Sequence, residues 1–305
     1  MGTRSHLGAV VVLALAGIAA CGDGGEPDES PTLTEGMKVG GFNFAESELL
    51  AEMYAQVIES TGTPVVRLGP IGPREIVAPA LEQGLVDIVP EYLGTALRRA
   101  GSSTPDPDPE SALANLVRLL EPVGLTALEA AAAENKNVFA ITSELAAQKG
   151  LSALSDLAPF ASEMRIGGPP ECADRPLCVV GLEEVYGLRF AEFVSQSDNR
   201  FTAEALRRAE IDVGVMFSTD SALVTFDLFV LDDDRALQPA ENIVPVLRID
   251  ALDRWGSGVV DALNALADRL TTRELRILNV RVDNEESIEA VARDWLTTQR
   301  LLGQI

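Results

Sequence analysis

The sequence is short of the residues that most enzymes rely on. Its one histidine is His6, and it has three cysteines, two tryptophans and three tyrosines, with aromatics at 5% of the chain. A single histidine so near the N-terminus excludes Ser-His-Asp and Cys-His nucleophiles and histidine-ligated zinc from the body of the chain. It also removes the commonest general base at neutral pH. Positive charge is scarce as well. Twenty-four Lys and Arg face forty-seven Asp and Glu, a formal net charge of -23, so nucleic-acid phosphate is repelled. No Walker A sequence and no GxGxxG after a strand is present, which removes the common phosphate cradles. Paired carboxylates, as in glycoside hydrolysis, stay open, but with so many acids chance pairs are unavoidable and none stands out.

Long apolar runs are absent apart from residues 7–20, which follow Arg4. That run is too short for an ordinary membrane span and fits a secretory signal core. Ile18-Ala19-Ala20-Cys21 resembles a bacterial lipobox. Residues 1–20 then read as a signal peptide and Cys21 as the lipidated N-terminus. An ordinary signal peptide with an incidental Cys21 is the alternative. Residues 22–36, GDGGEPDESPTLTEG, offer little to bury and read as a flexible tether with a reach of roughly 20 Å. The protein is thus expected outside the cytoplasm, anchored to the cell membrane by lipid.

In that compartment disulfides persist. Cys172 and Cys178 stand in the glycine- and proline-rich stretch GGPPECADRPLCVVGL, on either side of Arg175. Metal ligation, redox chemistry and a structural staple are the readings to weigh. Two thiols without histidine make a poor metal site, and no metal or cofactor is expected. The staple is favoured, and it would fix the direction of Arg175.

From residue 37 onward strand and helix patterns alternate. MKVGGF (37–42), PVVRLG (64–69) and VDIVPEY (86–92) read as strands. SELLAEMYAQVIESTG, with Leu49, Leu50, Met53, Tyr54, Val57 and Ile58 at helical spacing, and PREIVAPALEQG read as the helices between them. GSSTPDPDPE (101–110) reads as a loop. NVFAIT (137–142), RIGGP (165–169), the strand within AEALRRAEIDVGVMFSTD, LFVLDDD and IVPVLRI continue the series. Gly40-Gly41 and Gly167-Gly168 read as turns. Two helical patterns, near 257–270 and 285–301, close the chain. The β-α-β order predicts layered α/β sheets, whose ligands sit beyond the carboxyl ends of strands. The candidate ends are Phe42-Asn43-Phe44, Tyr92 to Thr95, Gly167 to Arg175 and Phe217 to Asp220. They come from different parts of the chain, which suits a cleft between two lobes.

Taken in order, VGGFNFAESELLAEMYAQVIE, ALEQGLVDIVPEYLGTAL, RIGGPPECADRPLCVVGLEEVYGL, AEIDVGVMFSTD and FVLDDDRALQPAENIVPVLR span residues 37–248 with little left out. They resemble the substrate-binding proteins of ABC importers for compatible solutes, the glycine betaine, choline and carnitine type. The resemblance implies a type II periplasmic-binding-protein fold, two α/β lobes joined by a double crossover. Lobe 1 is expected at 37–140 plus 240–305 and lobe 2 at 141–239. It implies a non-enzymatic carrier that delivers a quaternary-ammonium solute to a permease driven by an ATPase.

A quaternary ammonium has no N–H, so aromatic faces are its natural walls, while a carboxylate seeks an arginine fork or backbone donors. The resemblance places Tyr92, Phe139 and Phe226 as cage residues, and Thr95 and Arg175 as carboxylate holders. Phe42, Asn43 and Phe44 belong to the first motif, where Asn43 and Ser47 also suit a helix cap. Phe42 replaces a lysine common in the family. Ala203 stands near another family tyrosine, so Thr202 or Phe201 is expected to line the cleft. These departures leave a second reading open, the same transport role with a different and less polar ligand. A carboxylate-based hydrolase on the same scaffold and a sensor or adhesion lipoprotein are further alternatives.

Overall fold

The computed structural model describes residues 36–302. The expected signal peptide, Cys21 and all but the last residue of the tether lie outside the described residues. β1 (Met37–Phe42), α1 (Ala45–Ser60), β2 (Val65–Gly72), α2 (Arg74–Glu82) and β3 (Ile88–Tyr92) form successive β-α-β units, with β2 and β3 parallel to β1. α3 (Leu93–Arg99) and α4 (Pro109–Leu120) lead to β4 (Leu125–Ala127). β5 (Asn137–Thr142), α5 (Ser143–Lys149), β6 (Arg165–Gly168), α6 (Val179–Tyr186), β7 (Glu192–Ser195), α7 (Asn199–Arg207), β8 (Val213–Phe217), α8 (Ala222–Thr225) and β9 (Leu228–Val230) follow. The chain returns as β10 (Ile243–Arg248) and ends in α9 (Ile249–Trp255), α10 (Ser257–Ala267), α11 (Thr272–Asp283) and α12 (Ile288–Thr298).

The strands make two five-stranded sheets, in the orders β2-β1-β3-β10-β4 and β7-β6-β8-β5-β9. Each is mixed: β10 runs antiparallel to β3 and β4, and β5 runs antiparallel to β8 and β9. All five residues of β3 are buried, as expected of a central strand covered on both faces. The apolar face of α1 closes the first core, with Leu49, Leu50, Met53, Val57 and Ile58 fully buried. A separate cluster around Phe139, Ile141, Leu154, Ile166, Leu182 and Val213 forms the core of the second lobe.

The two chain crossings between the lobes pair with each other. Glu134 bridges Asn242 antiparallel, and the Asn135 N–H donates to Glu241 O at 2.9 Å. This ribbon corrects the expected crossing at residue 140. Asn137 to Ala140 pair with Phe217 to Gly214, so β5 lies wholly in the second sheet and the first crossing precedes residue 137. Gly40-Gly41 and Gly167-Gly168 are not turns either, for they lie inside β1 and β6. A Cβ at Gly41 would stand 2.9 Å from Ser47 O, and one at Gly167 would stand 2.7 Å from Ile211 Cδ1. Both are close-packing positions. The loop assigned to 101–110 ends slightly sooner, because Asp108 caps α4 by accepting from Ser111 N–H at 2.8 Å and proline opens the helix.

Candidate ligand-binding cleft

Aromatic rings stack at the carboxyl ends of β1 and β3. Phe42 is buried, and the Arg74 guanidinium lies 4.4 Å from its ring centroid. Phe44 stacks on Phe42 at 6.0 Å and 8°, and Tyr92 follows Phe44 at 6.2 Å and 28°. Of the three, only Phe44 is substantially exposed, at 42%. Arg74 in turn holds Glu91, its Nε and Nη2 donating at 2.9 Å. Burial raises the Glu91 carboxyl above its ordinary value against the pull of Arg74. Phe42 is therefore a support, with the protein's own cation beside its ring.

The Tyr92 hydroxyl donates to Glu46 Oε1 at 2.7 Å. Glu46 is buried in the first turn of α1. It also accepts from Asn135 Nδ2 at 2.9 Å and from Asn279 Nδ2 at 2.7 Å. Burial, and then the Glu46 charge, push the Tyr92 phenol well above its usual value. Asn279 Nδ2 also donates to Thr219 O at 3.0 Å, which ties this network to the second lobe. There Phe217, the last residue of β8, is 48% exposed. Phe44, Glu46, Asn135, Phe217, Asp220 and Asp283 are among the walls of one cavity of about 180 Å3. Asp220 Oδ1 accepts from Ala222 N–H at 2.8 Å and Oδ2 from Asn199 Nδ2 at 2.5 Å. Burial nonetheless raises its carboxyl above the ordinary value.

Cys172 and Cys178 are joined, with their Cα atoms 5.3 Å apart. The loop is pinned near both chain crossings, because Leu177 O accepts from Asn137 Nδ2 at 3.2 Å and from Gln238 Nε2 at 2.9 Å. Arg175 remains largely exposed and sits 3.5 Å from Glu171. It lines a second, smaller cavity of about 70 Å3 together with Asn137, Asn199 and Phe217. Phe217 is the wall common to both cavities.

The other residues expected in the cleft are placed elsewhere. Phe139 is 1% exposed in the second core, because β5 turns it toward Ile141 and Val213. Thr202 is fully buried, its hydroxyl donating to Asp198 O at 3.0 Å. Phe226 packs against Val138, Ala222 and Leu223. The Thr95 N–H and hydroxyl both donate to Glu241 at 2.9 Å, and Arg98 Nη1 joins at 3.2 Å, so a carboxylate of the protein already occupies them. Asn43 is exposed in the turn after β1 and walls neither cavity. Ser47 does not cap α1; its Oγ accepts from the Phe42 N–H at 2.9 Å.

Sequence reasoning named the strand end Phe217 to Asp220 but took neither residue as a wall, and it missed Glu46, Asn135, Asn279 and Asp283 altogether. Glu46 had a local signal, an acid in the first helical turn after a strand end. Asn279 and Asp283 stand on α11, which was not foreseen. A larger cavity of about 610 Å3 beside the crossings is lined by Glu134, Lys136, Phe139, Asp232, Asp233 and Arg276, with Phe229 its more accessible aromatic. Its charges of both signs suit a quaternary ammonium less than the smaller cleft.

The profile of the family described as the substrate binding domain of ABC-type glycine betaine transport systems matches residues 36–298. The chain belongs to this family: it is an extracytoplasmic substrate-binding component of an ABC-type transporter, which works with a permease, and it is not an enzyme. A glycine-betaine-binding protein of Pseudomonas aeruginosa is 29% identical over 279 residues, covering 88% of this chain and 89% of the relative. The carnitine transport binding protein OpuCC of Listeria monocytogenes is 25% identical, covering 85% of each. A glycine betaine/carnitine/choline ABC transporter structure superposes with a TM-score of 0.81 at 24% identity, over 88% of this chain and all of the other. Apo YehZ of Escherichia coli gives 0.78 at 24% identity over 88% and 99%. The fold is thus that of the type II periplasmic binding proteins. Among the described residues no helix is long and apolar enough to cross a membrane.

Proposed function

We propose that the protein binds a small quaternary-ammonium solute of the betaine, choline or carnitine kind between its lobes and delivers it to the permease, with transport driven by an ATPase subunit. The observation that carries this reading is the pair of accessible aromatic faces from opposite sheets, Phe44 and Phe217, over the buried carboxylate of Glu46. Each face contributes roughly 0.5–2 kcal/mol to a desolvated cation, and a nearby carboxylate adds Coulombic attraction. Micromolar binding needs about 8 kcal/mol, so a few such walls and lobe closure account for much of it. Tyr92 and Phe42 support Phe44. Arg175 stands beside Phe217 for a more distant anionic end. Cys21 anchors the protein by lipid, and lobe 1 gathers the first sheet and the C-terminal helices.

Calorimetric titration with glycine betaine, choline and carnitine tests the reading. One of them should saturate at micromolar levels. Phe44→Ala and Phe217→Ala should each weaken it by at least about 0.5 kcal/mol, while Phe226→Ala should leave it within twofold. Equal effects of all three variants, or no saturation by any solute, would remove the assignment.

A further inference from the structure

The charged walls of the cavity between Phe44 and Phe217 are all of one sign. Glu46, Asp220 and Asp283 give it three carboxylates, and among the described residues no lysine or arginine is one of its walls. Asn135 adds a fourth acceptor. Its Nδ2 is committed to Glu46, and its buried Oδ1 has no hydrogen-bond partner among the described residues. A buried orphan acceptor costs free energy until a donor reaches it. At about 180 Å3 the space lies below the roughly 300–1,000 Å3 of drug-sized sites, so the occupant is small.

A carboxylate in this cavity would face like charge from Glu46, Asp220 and Asp283, while the Ser221 hydroxyl and the Asn279 amide among the walls already donate to Asp283, Glu46 and Thr219 O. The donors that could hold one are engaged or displaced. Thr95 gives both its N–H and its hydroxyl to Glu241. Arg74 is held by Glu91. Arg175 lies in the neighbouring cavity, beyond Phe217, beside Glu171. In glycine betaine one carbon separates the carboxylate from the ammonium. Placing the ammonium between the aromatic faces therefore draws the carboxylate in among the acids. Choline has the same trimethylammonium head and nearly the same size, but ends in a hydroxyl that can donate.

We infer that the cleft selects a cationic amino alcohol of the choline class over a betaine, through the carboxylates of Glu46, Asp220 and Asp283 and the unpaired acceptor of Asn135. The inference rests on the proposed quaternary-ammonium site and narrows its ligand. Like charges disfavour the wrong partner, and an unmet polar group does so as well.

The test is calorimetric titration of the purified protein at neutral pH with choline, tetramethylammonium and glycine betaine. Choline is expected to bind about tenfold or more tighter than glycine betaine, and tighter than tetramethylammonium, which lacks the hydroxyl. Glu46→Gln, which keeps the shape and removes one charge, should weaken choline and narrow its lead over glycine betaine. Glycine betaine binding as tightly as choline, or tighter, would overturn the selectivity and leave the quaternary-ammonium site standing. Equal affinities for choline and tetramethylammonium would overturn the role of Asn135. A protein that binds none of the three overturns both this inference and the site on which it rests.

Discussion

Tyr92 shows how much of this site a single residue decides. Its ring supports Phe44, and its hydroxyl is fixed by Glu46. Neighbouring Glu91 depends on Arg74 in the same way. Arg74→Ala would leave that carboxylate buried without its partner and take the guanidinium from beside Phe42. A loss of about 3 kcal/mol is expected, read as a fall in the denaturation midpoint. A loss below 0.5 kcal/mol would show that Glu91 is neutral or hydrated. Asp220 makes a prediction about pH. Burial raises its pKa in the folded protein, so the fold holds this proton more tightly than the unfolded chain. Its contribution to stability is full below the unfolded value and is lost as pH rises through the raised one. Cation binding has the opposite slope. A cation favours ionised Asp220, so affinity should climb as pH rises through that range, with proton release visible as buffer-dependent binding heat. Tyr92 and Phe44 were expected at strand ends, and they stand at the end of β3 and just past the end of β1. Phe139, Thr202 and Phe226 pack into the second lobe, because residue type and motif position do not reveal which side of a strand or helix turns to the core.

At the scale of elements, β1 and β5 were legible to the residue, because each is a compact, largely apolar run. α11 was not, and it carries the tie between the lobes. Arg276 Nε donates to Ser218 O, Asn279 to Thr219 O and Glu46, and Asp283 accepts from the Ser221 hydroxyl. These residues recur along one helical face. Ile277, Val280 and Val282 blur its periodicity, yet Thr271 and Glu274 form a capping box, a start signal readable in the sequence. Thr271→Ala should cost about 1 kcal/mol, measured by denaturant unfolding; no change would mean that packing alone sets the helix. Asn279→Ala should weaken ligand binding although the residue lies far along the sequence from the strand ends. Unchanged affinity would separate α11 from the cleft. The stapled loop follows the same logic. Replacing Cys172 and Cys178 by serine should cost about 2 kcal/mol by the loop-closure entropy of so short a ring. Arg175, already exposed and paired with Glu171, should become more mobile.

For the whole molecule, β-α-β order and motif order made the two-lobed fold readable. The relation between the lobes was not, because it rests on long-range polar contacts such as Glu46 with Asn135 and Asn279. Sequence periodicity carries no trace of these. Two cores joined by a paired ribbon of crossing segments suit hinge closure. A ligand that binds only the folded protein should stabilise it by about 2.7 kcal/mol at one hundred times its Kd, read as a rise in the thermal midpoint. The most direct measurement is a crystal structure of the protein with a saturating quaternary ammonium. The account predicts the cationic head between Phe44 and Phe217, within reach of Glu46, with the lobes closed over it. A head bound elsewhere, for example in the larger cavity beside Arg276, would contradict it.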